Sequence, residues 1–180
     1  MNAKKFIAAG TVAVMSLFAS VAFAQAGGGA APTDPQIVGI VTAANRIDIM
    51  GAKLALKKTK NDQVKQFAQQ MIDDHTKLQS SVDNLAKKLG VKPAASATSK
   101  SLHTAAKAEM KKLRGLSGSA FDKEYMDHEV AFHQQVIDAA SKVLIPNAKN
   151  AQLKSALEGA APMLQGHLDH AKQIQSSLGS

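Results

Sequence analysis

The chain has 180 residues with no cysteine, no tryptophan, one tyrosine and six phenylalanines. The lack of cysteine excludes a disulfide framework, a lipidated anchor and any thiolate-ligated metal. So few aromatics argue against nucleic acid as a partner, because that function wants a continuous basic face with interleaved aromatic rings. The formal net charge is +8, yet Lys57, Lys58 and Lys60, then Lys87 and Lys88, then Lys111, Lys112 and Arg114 fall near expected helix C-termini. There they offset the terminal carbonyls. Weak attraction to an anionic envelope surface is the one partner role this charge suggests. Also absent are a phosphate-cradling glycine loop, a dinucleotide fingerprint and any useful stretch of period-two alternation, so strands are not expected.

One long apolar run is present, from Phe6 to Phe23 behind Lys4 and Lys5, and it closes on the small-residue site Ala22-Phe23-Ala24. This reads as a signal peptide over residues 1–24 cut before Gln25, with an uncleaved anchor as the alternative. The chain is therefore expected to be exported, either periplasmic or outer-membrane-associated. Removing the leader lowers the net charge by two and leaves a chain long enough for one domain with a full core. Residues 25–33, rich in Ala and Gly, read as a flexible tether, and residues 34–178 as a helical bundle domain.

Helical periodicity fills that domain. A first helix is expected from about Asp34 to Lys60, with Thr33 as N-cap and Pro35 in its first turn. A second runs to Leu89 and stops at Gly90. Its residues Val64, Ala68, Met71, His75, Leu78, Val82, Leu85 and Leu89 alternate steps of four and three, the pattern of a bundle seam. The turn between the two is so short that they must form an antiparallel hairpin. A shorter helix is expected over about 101–113. A long one follows from about 120 to 144, capped by Ser119 and ending before Pro146, and a last one spans about 148–178, where Pro162 should kink or divide it. The fold class is all-α, a four-helix bundle of two hairpins with residues 92–118 as the crossover.

Asp48, His75, Glu129, His133 and His167 interrupt the apolar stripes of these helices. Leaving such groups buried and unpaired costs about 1–3 kcal/mol for each polar group and more for each charge, so they should meet one another or a ligand. Asp48 and His75 are nearly equidistant from the first interhelical turn, while Glu129 and His133 lie one turn apart on one face. Folding the fourth helix back on the last brings Glu129 opposite His167. Three imidazoles and two carboxylates suit a transition metal (iron, zinc, manganese or copper) far better than calcium, which wants six or more oxygens. The alternative is a hydrogen-bonded polar core that fixes helix register without metal.

Two motifs fail on spacing. His128-Glu129-Val130-Ala131-Phe132-His133 puts its histidines five apart where the zinc-protease signature needs four, and Gly115-Leu116-Ser117-Gly118-Ser119 lacks the closing glycine and the strand of a nucleophile elbow. No catalytic residue is assigned. His103, His128 and His170 lie off or at the edge of the apolar arcs and should be partly solvated, and the methionines Met50, Met71, Met110, Met126 and Met163 read as core filler.

Three ordered motifs carry a family likeness: Phe67-Ala68-x-x-Met71-x-x-Asp74-His75, then Phe121-Asp122-x-x-Tyr125 with Val130-x-x-His133, then Pro162-x-Leu164-x-x-His167-Leu168. Over about Pro35 to Ile174 the chain resembles the exported bacterial family named domain of unknown function 4142. The resemblance implies a ferritin-like four-helix bundle and an envelope location, and it supplies no activity. His75, His133 and His167 match the family's histidines, and Asp48 stands where Glu is expected. The ligand pattern departs from ferritin-like di-iron enzymes, which use two Glu-x-x-His steps, since residue 72 is Ile and the other acid–His step is four. Three functions therefore compete: a metal-binding or structural bundle without catalysis, a metal-dependent oxidoreductase with Tyr125 beside its ligands, and an envelope interaction module.

Overall fold

The computed structural model describes residues 30–179, and every element among them is helical. The proposed leader, and residues 25–29 of the proposed tether, lie outside the described residues. Helix α1 spans Asp34–Lys58, α2 Asp62–Lys88 and α3 Ala97–Gly115. Helix α4 spans Gly118–Ala139 and passes through a π turn at Ala140–Leu144 into the short α5, Ile145–Asn147; α6 spans Ala151–Leu178.

Local chemistry sets these limits. At the start of α1 the Thr33 N–H donates to Gln36 Oε1 at 3.0 Å, which satisfies one of the donors a helix start leaves over. Asn61 Oδ1 accepts from the N–H groups of Gln63 and Val64 and caps α2. Helix α3 begins four residues earlier than expected because Ser96 caps it, accepting from the Ser99 N–H at 3.1 Å. Helix α6 begins three residues late for the same reason, with Asn150 accepting from Gln152 and Leu153.

Pro146 does not stop the fourth helix where expected. Proline lacks the N–H for an i−4 bond and its ring crowds that carbonyl. The π turn answers both by widening the helix just before it, so that the Ile145 N–H reaches the Ala140 carbonyl five residues back. Pro162 likewise leaves α6 undivided. It sits on the exposed face, where water can take the carbonyl it frees.

The four long helices form a ring in the order α1, α2, α6, α4, with α3 laid along the outside of α1. Every neighbour in the ring is antiparallel. Ser177 against Gln63, His170 against Gln70 and His167 against Asp74 fix the α2–α6 register. At one end Lys58 donates to the carbonyls of Leu113 and Arg114 and lies over the Phe121 ring, joining α1, α3 and α4. At the other end Asp34 accepts from the backbone N–H of Lys149 and Asn150, and the Ala94 N–H donates to Pro35 O.

Two apolar clusters fill the interior. One, near the α1–α2 turn, is built on Phe67, Met71, Phe121, Tyr125 and Met126, all fully buried. Its rings pack stacked and edge-on, with Phe121–Tyr125 centroids 6.2 Å apart and Phe67–Tyr125 6.3 Å. The other, toward the start of α1, is mainly aliphatic, with Ile37, Ile40, Ile47, Leu144, Leu153 and Leu157 beside Phe132. Asp48, His75, Glu129, His133 and His167 form a polar layer between them, near the middle of the bundle. Met50, expected in the core, is instead 43 % exposed.

Candidate metal centre

The five polar residues are all brought together. Asp48 is 4 % exposed, and His75, Glu129, His133 and His167 are 1 % exposed. They come from α1, α2, α4 and α6, each carried inward by the apolar phase of its helix. The three imidazole rings form a triangle with centroids 5.7 Å apart for His75–His133, 5.2 Å for His75–His167 and 5.4 Å for His133–His167.

Each ring is held by one nitrogen. His75 Nδ1 lies 3.0 Å from Asn45 Oδ1 and 3.5 Å from Asp48 Oδ2. His133 Nδ1 lies 3.0 Å from the Glu129 carbonyl oxygen and 3.4 Å from Glu129 Oε2. His167 Nε2 lies 3.1 Å from Asp74 Oδ2. All these partners are acceptors, so the held nitrogen carries the proton and donates it. The opposite nitrogens, His75 Nε2, His133 Nε2 and His167 Nδ1, are buried with no hydrogen-bond partner among the protein atoms, as is Asp48 Oδ1. One donor atom from each of His75, His133 and His167 lies within 4.8 Å of the others, and the same holds for Asp48, Glu129 and His133. His133 is thus common to an imidazole set and a carboxylate set.

Burial governs the protonation of this layer. It pulls His75 down to about 3, with the His133 and His167 imidazoles adding to the fall. Burial opposes charge on His133 too, but the Glu129 hydrogen bond and the negative charges of Asp48 and Glu129 outweigh it and push His133 up to about 9. His167 is lowered, chiefly by burial and against the Asp74 hydrogen bond. Asp48 is raised well above the usual carboxyl range by burial, with Glu129 adding to the rise against His133. Burial, then the charge of Glu129, also raises Tyr125.

His167 meets the imidazole rings and Asp74 in addition to facing the α4 helix that carries Glu129. Asp74 and Asn45 were not singled out for this role from sequence. Asp74 sits beside His75 in a recognised motif, but its orientation toward α6 depends on the ring order. Asn45 lies one turn from Asp48 on α1, and that spacing was the available signal. The other histidines stand apart: His170 Nδ1 meets Gln70 Oε1 at 3.1 Å, His128 stacks on Phe132, and His103 is exposed.

Solved structures share the fold. A DUF305 protein from Streptomyces coelicolor, described as a candidate secreted protein, is similar at a TM-score of 0.68 with 12% identity, over 81% of this chain and 93% of that one. CopM in its Cu(II)-bound form is similar at 0.63 with 17% identity, over 81% of this chain and 98% of that one. No curated protein matches the sequence. The model of the domain of unknown function 4142 (DUF4142) matches residues 19–174, starting ahead of Pro35 and ending at Ile174, and the chain belongs to that family.

Proposed function

We propose that this protein is an exported helical bundle that binds a transition metal ion through His75, His133 and His167, with Asp48 and Glu129 beside them as further oxygen donors. The observation that carries this reading is the pairing of held and free nitrogens. Asn45, the Glu129 carbonyl and Asp74 each take one ring proton, the arrangement that orients metal-ligating histidines and sets their tautomers. Three buried nitrogens are then left without partners, and each of the three rings brings one of its nitrogens within 4.8 Å of the others'. The donor set fits the group: imidazoles with carboxylate neighbours and no thiolate suit copper or zinc, with iron and manganese next. Copper is the first ion to test, because CopM, similar in fold, is Cu(II)-bound.

The chain's own residues do the work of selection. The aromatic cluster closes one side of the layer, and four helices fix donor positions that a flexible loop would leave loose. A proton on His133 balances the neighbouring acids when no ion is present, and it must leave when one binds. A bound metal would supply a concentrated positive charge held by neutral imidazoles. The reading is one of metal binding and handling, without a catalytic step.

Elemental analysis of the full chain, purified without chelator or affinity tag and loaded in turn with Cu(II), Zn(II), Fe(II) and Mn(II), tests it. About one tightly held ion per chain is expected in the wild type, with loss in His75→Ala, His133→Ala and His167→Ala. A folded wild type that takes up none of these ions stoichiometrically would leave only a polar core that sets helix register. Export is tested separately, by the N-terminal residue of the protein recovered from the cell envelope fraction, expected at Gln25.

A further inference from the structure

Around the aliphatic cluster, on one side of the polar layer, the bundle is less completely closed than around the aromatic cluster on the other. Along the α2 seam Val64, Ala68, Met71 and His75 are buried, yet Leu78, Val82, Leu85 and Leu89 continue the same spacing and are only half-buried. Opposite them α6 presents small residues, Ala156, Gly159 and Ala160, where larger ones would close the seam. Between the two lies a cavity of about 790 Å³ with walls from α1, α2, α4 and α6. It runs from Leu89 to His75, about 21 Å at 1.5 Å per residue, and its lining is overwhelmingly aliphatic. Its inner end is polar: Asp48, Asp74 and His75 border it, and Asp48 Oδ1 and His75 Nε2 are buried without partners.

A long apolar slot that ends on the polar, metal-competent layer suits an amphiphile with a single tail. Its volume is that of a small-molecule site. The π turn borders the slot through Ala140 and Leu144, and such turns recur at functional sites because they shift side chains without breaking a helix.

We propose that this cavity binds one long-chain fatty acid, its alkyl chain lying between α2 and α6 and its carboxyl group directed to the His75 end of the polar layer. The inference rests on the metal-binding reading for the positive charge that draws the carboxyl group inward. The alkyl chain covers the apolar surface that the half-buried leucines and valines still expose, removing it from water.

The test is calorimetric titration of the delipidated full chain with palmitate and with methyl palmitate, metal-free and metal-loaded, in the wild type, Ala160→Phe and Val82→Phe. Metal content and circular dichroism are recorded for each. One palmitate per chain is expected, bound more tightly than the ester when metal is present. Either cavity-filling variant should weaken it by roughly tenfold or more with metal content unchanged. A chain that holds metal but no palmitate overturns the inference and leaves the metal reading standing; a chain that holds no metal fails the earlier reading by elemental analysis alone. Equal affinity for acid and ester in both metal states overturns the inference, and so does undiminished binding in both folded variants. A wild-type dimer by sedimentation that rejects palmitate and dissociates on Ala160→Phe assigns the groove to a second copy and also overturns it.

Discussion

Asn45 holds His75 from outside the donor set, so its removal isolates orientation from ligation. Asn45→Ala is expected to keep the fold and lower metal affinity by roughly 10–100-fold, the usual effect of losing an outer partner, as measured by chelator competition. The same layer sets a pH window for the metal-free protein. His75, held at about 3 against an unfolded value near 6.5, leaves the unfolded chain with more protons across that interval. Its contribution is therefore full above 6.5 and is lost as pH falls toward 3. His133, held up at about 9, behaves oppositely: its contribution is full below 6.5 and is lost as pH rises through 9. Denaturant unfolding across pH should show both limbs, and His75→Phe should flatten the acid one while leaving the alkaline one. At this scale the five central residues were legible in the sequence because a charge or imidazole inside an apolar stripe is conspicuous. Asn45 and Asp74 were not, because their role depends on which helix stands beside them.

Elements joined through single contacts yield two further expectations. A Cβ on Gly39 would lie 2.2 Å from the Ala94 carbonyl oxygen, a backbone atom anchored by the Ala94–Pro35 hydrogen bond. Gly39→Ala must therefore displace the segment that leads into α3, and a loss of roughly 1–3 kcal/mol is expected by denaturant unfolding. Asp34 ties the start of α1 to the start of α6 through the N–H groups of Lys149 and Asn150. Asp34→Ala should cost about 1 kcal/mol, like the loss of a helix cap, and should speed amide exchange at those residues. Helix existence and phase were readable from periodicity, but several ends were not. Ser96 and Asn150 cap helices from within polar stretches offering several equivalent candidates. The π turn before Pro146 is one of two ways a helix can meet a proline, ending or widening, and period alone does not choose between them.

For the molecule as a whole, the polar layer draws on all four ring helices, so an ion held there links both hairpins. Saturation at 100 times the dissociation constant should stabilise the fold by about 2.7 kcal/mol, seen as a rise in melting temperature that His167→Ala removes although His167 lies on the last helix. The hairpins and the crossover followed from connection lengths in the sequence, whereas the cavity did not, since a seam reads alike whether its partner helix is close or spread. The antiparallel ring has one more effect. Oppositely directed helices set their terminal partial charges side by side at both ends, and the central layer lies far from either end, where those fields nearly cancel. Charge balance at the centre therefore rests on side chains alone, so the number of ionised acids among Asp48, Asp74 and Glu129 governs the valence of the ion that can be retained.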